Sequence, residues 1–277
     1  MSNMKITFLG SGNIARAIIK GLIANGTPAN EITAADPMKS ALDEAGKLGI
    51  NVTMDNQSAA RYADVIIISV KPNIVTKITR EIASIVGEKL VISVAAGITS
   101  QLLQESLGAK AHVIRCMPNT PAQIQSGITG LFAIAVISKT EQRIAEKILG
   151  AVGKYVWVNE EAELHAVTAV SGSGRAYFFY IIEALQKAAT QLGLSENLAK
   201  LLVIETAIGA AKMTLTETTK TADTLRREVT SPGGTTEAAI NILEKGDLVG
   251  PVSYTHLRAH ETREDRGCPG VGAKKKG

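Results

Sequence analysis

The stretch "KITFLGSGNIARA", Lys5 to Ala17, runs a short apolar segment straight into Gly10, Gly12 and Ala15 and then into an amphipathic segment. As a bare pattern, G-x-G-x-x-A is weak. Between a strand and a helix it has a physical reading. The first glycine permits a tight turn, the second lets backbone approach a pyrophosphate, and the small third residue lets helix and strand pack closely. The competing reading is a glycine-rich turn without a ligand. The strand-to-helix context favours a dinucleotide cradle, and with it a sheet whose first strand begins at Lys5.

Moving outward, β-rich runs recur at "EITAAD" (31–36), "DVIIISV" (64–70), "KLVISVA" (89–95) and "AHVIRCM" (111–117). Segments such as Ile14–Asn25, Ile74–Val86 and Ser100–Leu107 separate them with helical periodicity. Continuous Val/Ile runs alternating with helices predict a parallel sheet covered on both faces, a doubly wound α/β domain over residues 1–158. "GITGLFAIAVIS" (127–138) and "KYVWV" (154–158) read as later edge strands.

From residue 159 to 250 the pattern is all-α. Two long Ala-rich segments, 161–193 and 195–217, precede shorter helices at "TADTLRREV" (221–229) and "TTEAAINILEKG" (235–246). Ser195 is a helix-start signal and Gly246 a stop signal. These helices carry more apolar surface than one small bundle hides, which predicts burial against a second subunit. Residues 251–277 lose the periodicity and form an atypical tail, disordered or foreign. Its His256, His260 and Cys268 fit no zinc spacing, so no metal site is expected.

Composition narrows the class. Of 277 residues, 45% are hydrophobic and 20% charged, which suits packed domains and excludes a disordered chain. The net charge of +4 owes much to the terminal "GAKKKG", so no nucleic-acid surface is expected. Two cysteines, Cys116 and Cys268, make no framework. Neither a leader pattern nor a bilayer-length apolar run is visible, and a cytoplasmic protein without membrane contact is the expectation.

Several side chains are candidates for chemistry. Asp36 ends the second strand, where an acid accepts from the ribose 2′-OH of NAD and repels the 2′-phosphate of NADP; Lys39 offsets that charge. Asp36 also reads as a cap for the helix near Pro37. "SVKPN" (69–73) and "SVAAG" (93–97) end strands that face a cofactor crevice, their small residues leaving room for a ring or simply packing tightly. "REVTSPGGTTEAA" (227–239) gathers hydroxyls and glycines before a helix. That is either an ordinary helix start or an anion site. His165 reads as a packing histidine, Cys116 as a small buried hydrophobe, and "YFFY" (177–180) as helix core or subunit interface.

Taken together, "GSGNIARA", "SVKP", "SVAAG", "RCMPNTPA" (115–122), "AVSGSGRAYFF" (169–179) and "VTSPGGTTEAA" (229–239) resemble the pyrroline-5-carboxylate reductase family over Lys5 to Asp247. The resemblance implies a Rossmann domain followed by a helical dimerisation domain, a homodimer, and rings of dimers in some members. It implies reduction of the C=N bond of 1-pyrroline-5-carboxylate to L-proline by NADPH, with NAD left open as the cofactor. It places the cofactor on Leu9, Gly10, Ser11, Gly12, Asn13, Ile14, Asn56, Ser69, Val70, Lys71, Pro72, Ala95, Ala96 and Gly97, to which the strand-end argument adds Asp36. It places the substrate on Ser231, Pro232, Gly233, Gly234, Thr235 and Thr236, a loop commonly supplied across the dimer interface. With a carboxylate-bearing imine as substrate, Gly233 and Gly234 are expected to offer unobstructed N–H groups, and the Thr236 hydroxyl to act at the imine nitrogen.

Two departures stand out. Arg175 occupies the position where the family usually has Pro, and the tail from Pro251 replaces a final amphipathic helix, which predicts a weaker dimer. Two other readings stay open. An imine or β-hydroxyacid reductase of the same plan would use a lysine in mid-domain, but Lys187 and Lys212 lie outside the motifs. A non-catalytic dinucleotide-binding module would have no use for "TSPGGTT".

Overall fold

The computed structural model describes residues 4–134, 136–247 and 250, and the tail from Pro251 lies outside the described residues. The chain packs as two units, the first running to Gly172 and the second starting at Ser173.

The first unit is built on β1 (Ile6–Leu9), β2 (Ile32–Ala35), β3 (Asn51–Thr53), β4 (Val65–Ile68), β5 (Leu90–Ser93), β6 (His112–Pro118), β7 (Gly127–Ala133) and β8 (Gly153–Trp157). These form one sheet in the order β3-β2-β1-β4-β5-β6-β7-β8. Every neighbouring pair is parallel except β6 and β7. Only a short 3₁₀ turn, Thr120–Ile124, joins those two strands, too little chain for a parallel crossover. The crossover from β7 to β8 uses α6 (Lys139–Gly150) and puts β8 outside, so β8 alone of the two later strands is an edge. The opposite edge is β3, whose three residues, Asn51 to Thr53, carry no run that marks them as a strand.

The apolar runs fold as strands because both faces are covered. In β4, Val65 and Ile67 face one core and Ile66 and Ile68 the other, all nearly inaccessible. Helix α1 (Asn13–Ala24) packs Ile18, Ile19 and Leu22 onto Phe8 and Ile32. On the other face α3 (Asn56–Arg61), α4 (Pro72–Val86) and α5 (Ser100–Leu107) cover Leu9, Ile68 and Val91. The register ends the central strands level, with Leu9 beside Ala35 and Ile68, and Ile68 beside Ser93. Helix α2 (Lys39–Gly46) links β2 to β3.

The first unit closes with α7 (Glu163–Val167) and a π-helical turn over Thr168–Ser173. Buried Arg115 on β6 donates to Glu161 Oε1 at 2.5 Å, and the Ser100 N–H reaches the same oxygen at 2.6 Å. Burial by itself would raise the Glu161 pKa; the Arg115 and Ser100 hydrogen bonds outweigh it and hold the carboxyl below its ordinary range.

The second unit comprises α8 (Gly174–Gln191), α9 (Glu196–Thr216), α10 (Ala222–Glu228) and α11 (Thr235–Lys245). Ser195 caps α9 by accepting from the Leu198 N–H. Gly246 ends α11 with an ordinary φ of −76°, and the left-handed residue is Asp247 with φ +48°. Arg175 lies one residue inside α8, where the preceding Ser173 backbone is already helical, so it does not stand at a fresh helix start. Within this unit the apolar face is open. Phe178, Phe179, Tyr180, Leu185, Leu201 and Leu202 are all exposed, while α9 buries only Ala199 and Val203. The "YFFY" run is therefore not a core within the chain.

The depressed Glu161 pKa sets a pH dependence. A carboxyl whose pKa falls on folding stabilises the fold fully above its unfolded value, near 4.5, and loses that contribution as pH falls through the folded value. Urea unfolding should show Glu161→Gln roughly 1–3 kcal/mol less stable than the parent at pH 7, with the gap shrinking below about pH 4. A pH-independent gap would contradict the ion-pair account.

Candidate active site

The residues expected to hold a dinucleotide gather at the carboxyl ends of neighbouring strands. Leu9 ends β1 and Gly10 to Ile14 follow it, Asp36 follows β2, Asn56 follows β3, Ser69 to Pro72 follow β4, and Ala95 to Gly97 follow β5. β1 and β4 flank the point where the chain's winding reverses, and such a reversal opens a crevice above the strand ends.

The local geometry is tight below and open above. Gly10 has φ +96°, and a Cβ there would lie 2.7 Å from the Ser69 carbonyl oxygen. The Gly10 N–H donates to Ala35 O at 2.7 Å, and the Ser69 N–H to Leu9 O at 2.9 Å. The Ser69 hydroxyl donates to Gly10 O at 2.8 Å and lies 3.1 Å from Leu9 O. Three strand ends are thus sewn together beneath the loop. Gly12 is the reverse case: a Cβ on it would meet nothing within 4 Å. It caps α1 without a side-chain partner, so the first amides of α1 face outward at an exposed glycine. Lys71 likewise precedes α4 with no side-chain cap. Ala95 is buried, while Ala96 and Gly97 are exposed. These residues fit a dinucleotide, Gly12 and the start of α1 being suited to a pyrophosphate.

Asp36 is engaged from within. Its Oδ2 accepts from the Ser11 N–H at 2.9 Å, and its Oδ1 from the Met38 N–H at 2.9 Å. Asn56 donates to Glu81 of α4 at 3.1 Å.

Ser231 to Thr236 lie in the second unit, exposed apart from half-buried Gly234. Gly233 has φ +73°, a conformation that favours glycine. The two glycine amides have internal acceptors, contrary to the unobstructed pair expected. Gly234 N–H donates to Ser231 O at 3.0 Å, closing a turn. Gly233 N–H donates to the Glu237 carboxylate at 2.7 Å. Gly234 caps α11 with no side-chain partner, which leaves Thr235 and Thr236 as the first residues of the helix.

The comparisons with known proteins bear on this arrangement. Residues 161–265 match the family described as pyrroline-5-carboxylate reductase dimerisation, a match that continues past Pro251. Residues 5–97 match the family described as NADP oxidoreductase, coenzyme F420-dependent. A pyrroline-5-carboxylate reductase of Pseudomonas aeruginosa is 45% identical over 87% of this chain and 88% of its own length. The chain belongs to the pyrroline-5-carboxylate reductase family. The structure of a family member from Coxiella burnetii superposes with a TM-score of 0.88 at 42% identity, covering 97% of this chain and 100% of that one. One from Plasmodium falciparum, solved with NADP bound, gives 0.86 at 27% identity, covering 97% and 100%.

Against this family background, several positioning residues were visible only as parts of motifs. Within "RCMPNTPA", Arg115 holds Glu161, and Asn119 accepts from the Ile128 N–H at 3.0 Å while its amide lies 3.4 Å from Ser171 O. Nothing in the spacing announces these partners, which come from the turn before α7, from β7 and from the π-helical turn. His165 is half-buried on α7, and burial pushes the Cys116 thiol up, keeping it protonated inside β6. Among the described residues no cluster of three metal-binding side chains occurs, and no helix is long and apolar enough to cross a membrane.

Gly10→Ala places a methyl group against the Ser69 backbone at a positive φ. Fluorescence titration should show NADPH affinity reduced about 10- to 100-fold, the scale of a 1–3 kcal/mol overlap. Unchanged affinity would mean that the Gly10–Ser69 contact does not shape the site.

Proposed function

We propose that this chain reduces the C=N bond of 1-pyrroline-5-carboxylate to L-proline with NADPH, the last step of proline biosynthesis, as a cytoplasmic homodimer. One observation carries the reading: a dinucleotide cradle and the exposed Ser231–Thr236 loop occur in one chain that is 45% identical to a named reductase over most of its length. The NADP assignment is supported by the family description of residues 5–97 and by the NADP-bound relative. The open apolar faces of α8 and α9, within a match to a dimerisation family, support the homodimer.

When bound, the reduced nicotinamide supplies the hydride that the imine carbon takes up. The chain's own residues bind and orient. The amides at the start of α11, with the positive end of the helix dipole, receive the ring carboxylate. Glu237 occupies the Gly233 amide with a carboxylate of its own, so substrate binding displaces a like group. A protonated imine is already electrophilic and needs no strong acid, which suits a loop whose polar side chains are hydroxyls. Thr236 steers the imine nitrogen through its hydroxyl and stabilises the developing amine.

NADPH oxidation in the presence of the imine tests the activity; cofactor binding without turnover would leave a non-catalytic module. Thr236→Ala should lower kcat/KM by roughly ten- to a thousandfold, the scale of a lost positioned hydrogen bond, and unaltered steady-state kinetics would remove Thr236 from the mechanism. Glu237→Gln should lower KM for the imine by about two- to tenfold, because a competing charge leaves the Gly233 amide. A KM that stays put would show that Glu237 does not compete with substrate.

A further inference from the structure

Two charged side chains of opposite sign grip the loop after β1, and they grip it differently. Asp36 accepts from the Ser11 N–H at 2.9 Å, from the Ser11 hydroxyl at 3.3 Å and from the Met38 N–H at 2.9 Å. A carboxylate offers about four lone-pair positions, so three donors from the chain leave little for a ribose hydroxyl. The acid at the end of β2 is spent on shaping the loop and the turn into α2.

Arg16, in the first turn of α1, holds the other side of the same residue. Its Nη1 donates to the Ser11 carbonyl at 2.7 Å and its Nη2 to Asn13 Oδ1 at 2.7 Å. Both acceptors are neutral, and among the described residues no carboxylate pairs with Arg16 at contact distance. More cations border this corner. The Glu44 carboxyl on α2 is held below its ordinary range chiefly by Lys47, with further contributions from the charges of Arg16 and Lys20. Arg16 and Lys20 therefore lie within electrostatic reach of Glu44 on α2.

We propose that Arg16 selects the cofactor's 2′-phosphate, while Asp36 braces the loop for either dinucleotide. The inference rests on the reading of Leu9 to Ile14 as the cofactor cradle. In this architecture the adenosine ribose lies between the glycine loop and the end of the second strand, the space that Arg16 and Asp36 border. A guanidinium presents a planar fork that matches a phosphate bidentately, and a phosphate dianion is a stronger acceptor than the carbonyl and amide oxygens Arg16 now holds. Asp36 opposes the phosphate, but its charge is dispersed over three donors, and Arg16 is bound to the same Ser11 that Asp36 holds.

Calorimetric titration of the full chain with NADPH, NADH, 2′,5′-ADP and 5′-AMP tests this in Arg16→Gln, Arg16→Lys and Asp36→Asn. Arg16→Gln should weaken NADPH and 2′,5′-ADP by roughly ten- to fiftyfold and NADH and 5′-AMP by less than about threefold. Arg16→Lys should fall between, since it restores the charge without the fork. Asp36→Asn should weaken both dinucleotides by a similar factor. Equal losses for NADPH and NADH in Arg16→Gln would reduce Arg16 to a loop brace and overturn the proposal. So would Asp36→Asn tightening NADPH while weakening NADH, because Asp36 would then be the selector. If Asp36→Asn does not fold, the two Arg16 variants decide alone. Failure of the parent chain to bind either dinucleotide would instead sink the cofactor reading and this inference with it.

Discussion

Everything at the dinucleotide end of the molecule depends on how closely the β1 loop lies against the end of β4. Gly10 sits where any Cβ would press on the Ser69 backbone, and the Ser69 hydroxyl returns hydrogen bonds to the Leu9 and Gly10 carbonyls. This contact lies at the reversal of the strand order, so it fixes the floor of the crevice. With the floor pinned, Gly12 and the first amides of α1 are left facing open space. The rigidity below and the open approach to Gly12 above are two results of one steric constraint.

A second constraint acts through charge. The buried guanidinium of Arg115 would be costly alone, and Glu161 offsets it while also accepting from Ser100 at the start of α5. One carboxylate therefore joins β6, α5 and the approach to α7. The glycine loop uses the same device at its surface, with Asp36 on the Ser11 amide and Arg16 on the Ser11 carbonyl. In both places an ionic side chain fixes backbone that has no regular ladder to hold it.

The two units solve their hydrophobic problem differently. The sheet is covered on both faces, and the Val/Ile runs of β4 and β5 are buried outright. The helices of the second unit keep large side chains in the open, with the apolar residues of α9 spread around the helix and few of them buried. A helix of that kind requires a partner surface, and the family match over residues 161–265 carries dimerisation in its description.

The sequence by itself determined the parallel, doubly wound sheet, the glycine loop, the change to helices and the family, because each rests on local periodicity or on a motif short enough to read. It did not reveal β3, whose Asn51–Thr53 carries no apolar run and becomes a strand only because β2 supplies a hydrogen-bonding edge. It left Asp36 divided between ribose acceptor and cap, since sequence cannot tell which donors reach a carboxylate; the fold brings the Ser11 and Met38 amides to it. It expected free amides at Gly233 and Gly234, and the local turn gives them to Glu237 and Ser231, four and three residues away. Periodicity specifies which face of an element is apolar, whereas a polar group's partner is chosen by distances in three dimensions. That is why the fold could be read from the chain, and why the hydrogen-bond partners at the site could not.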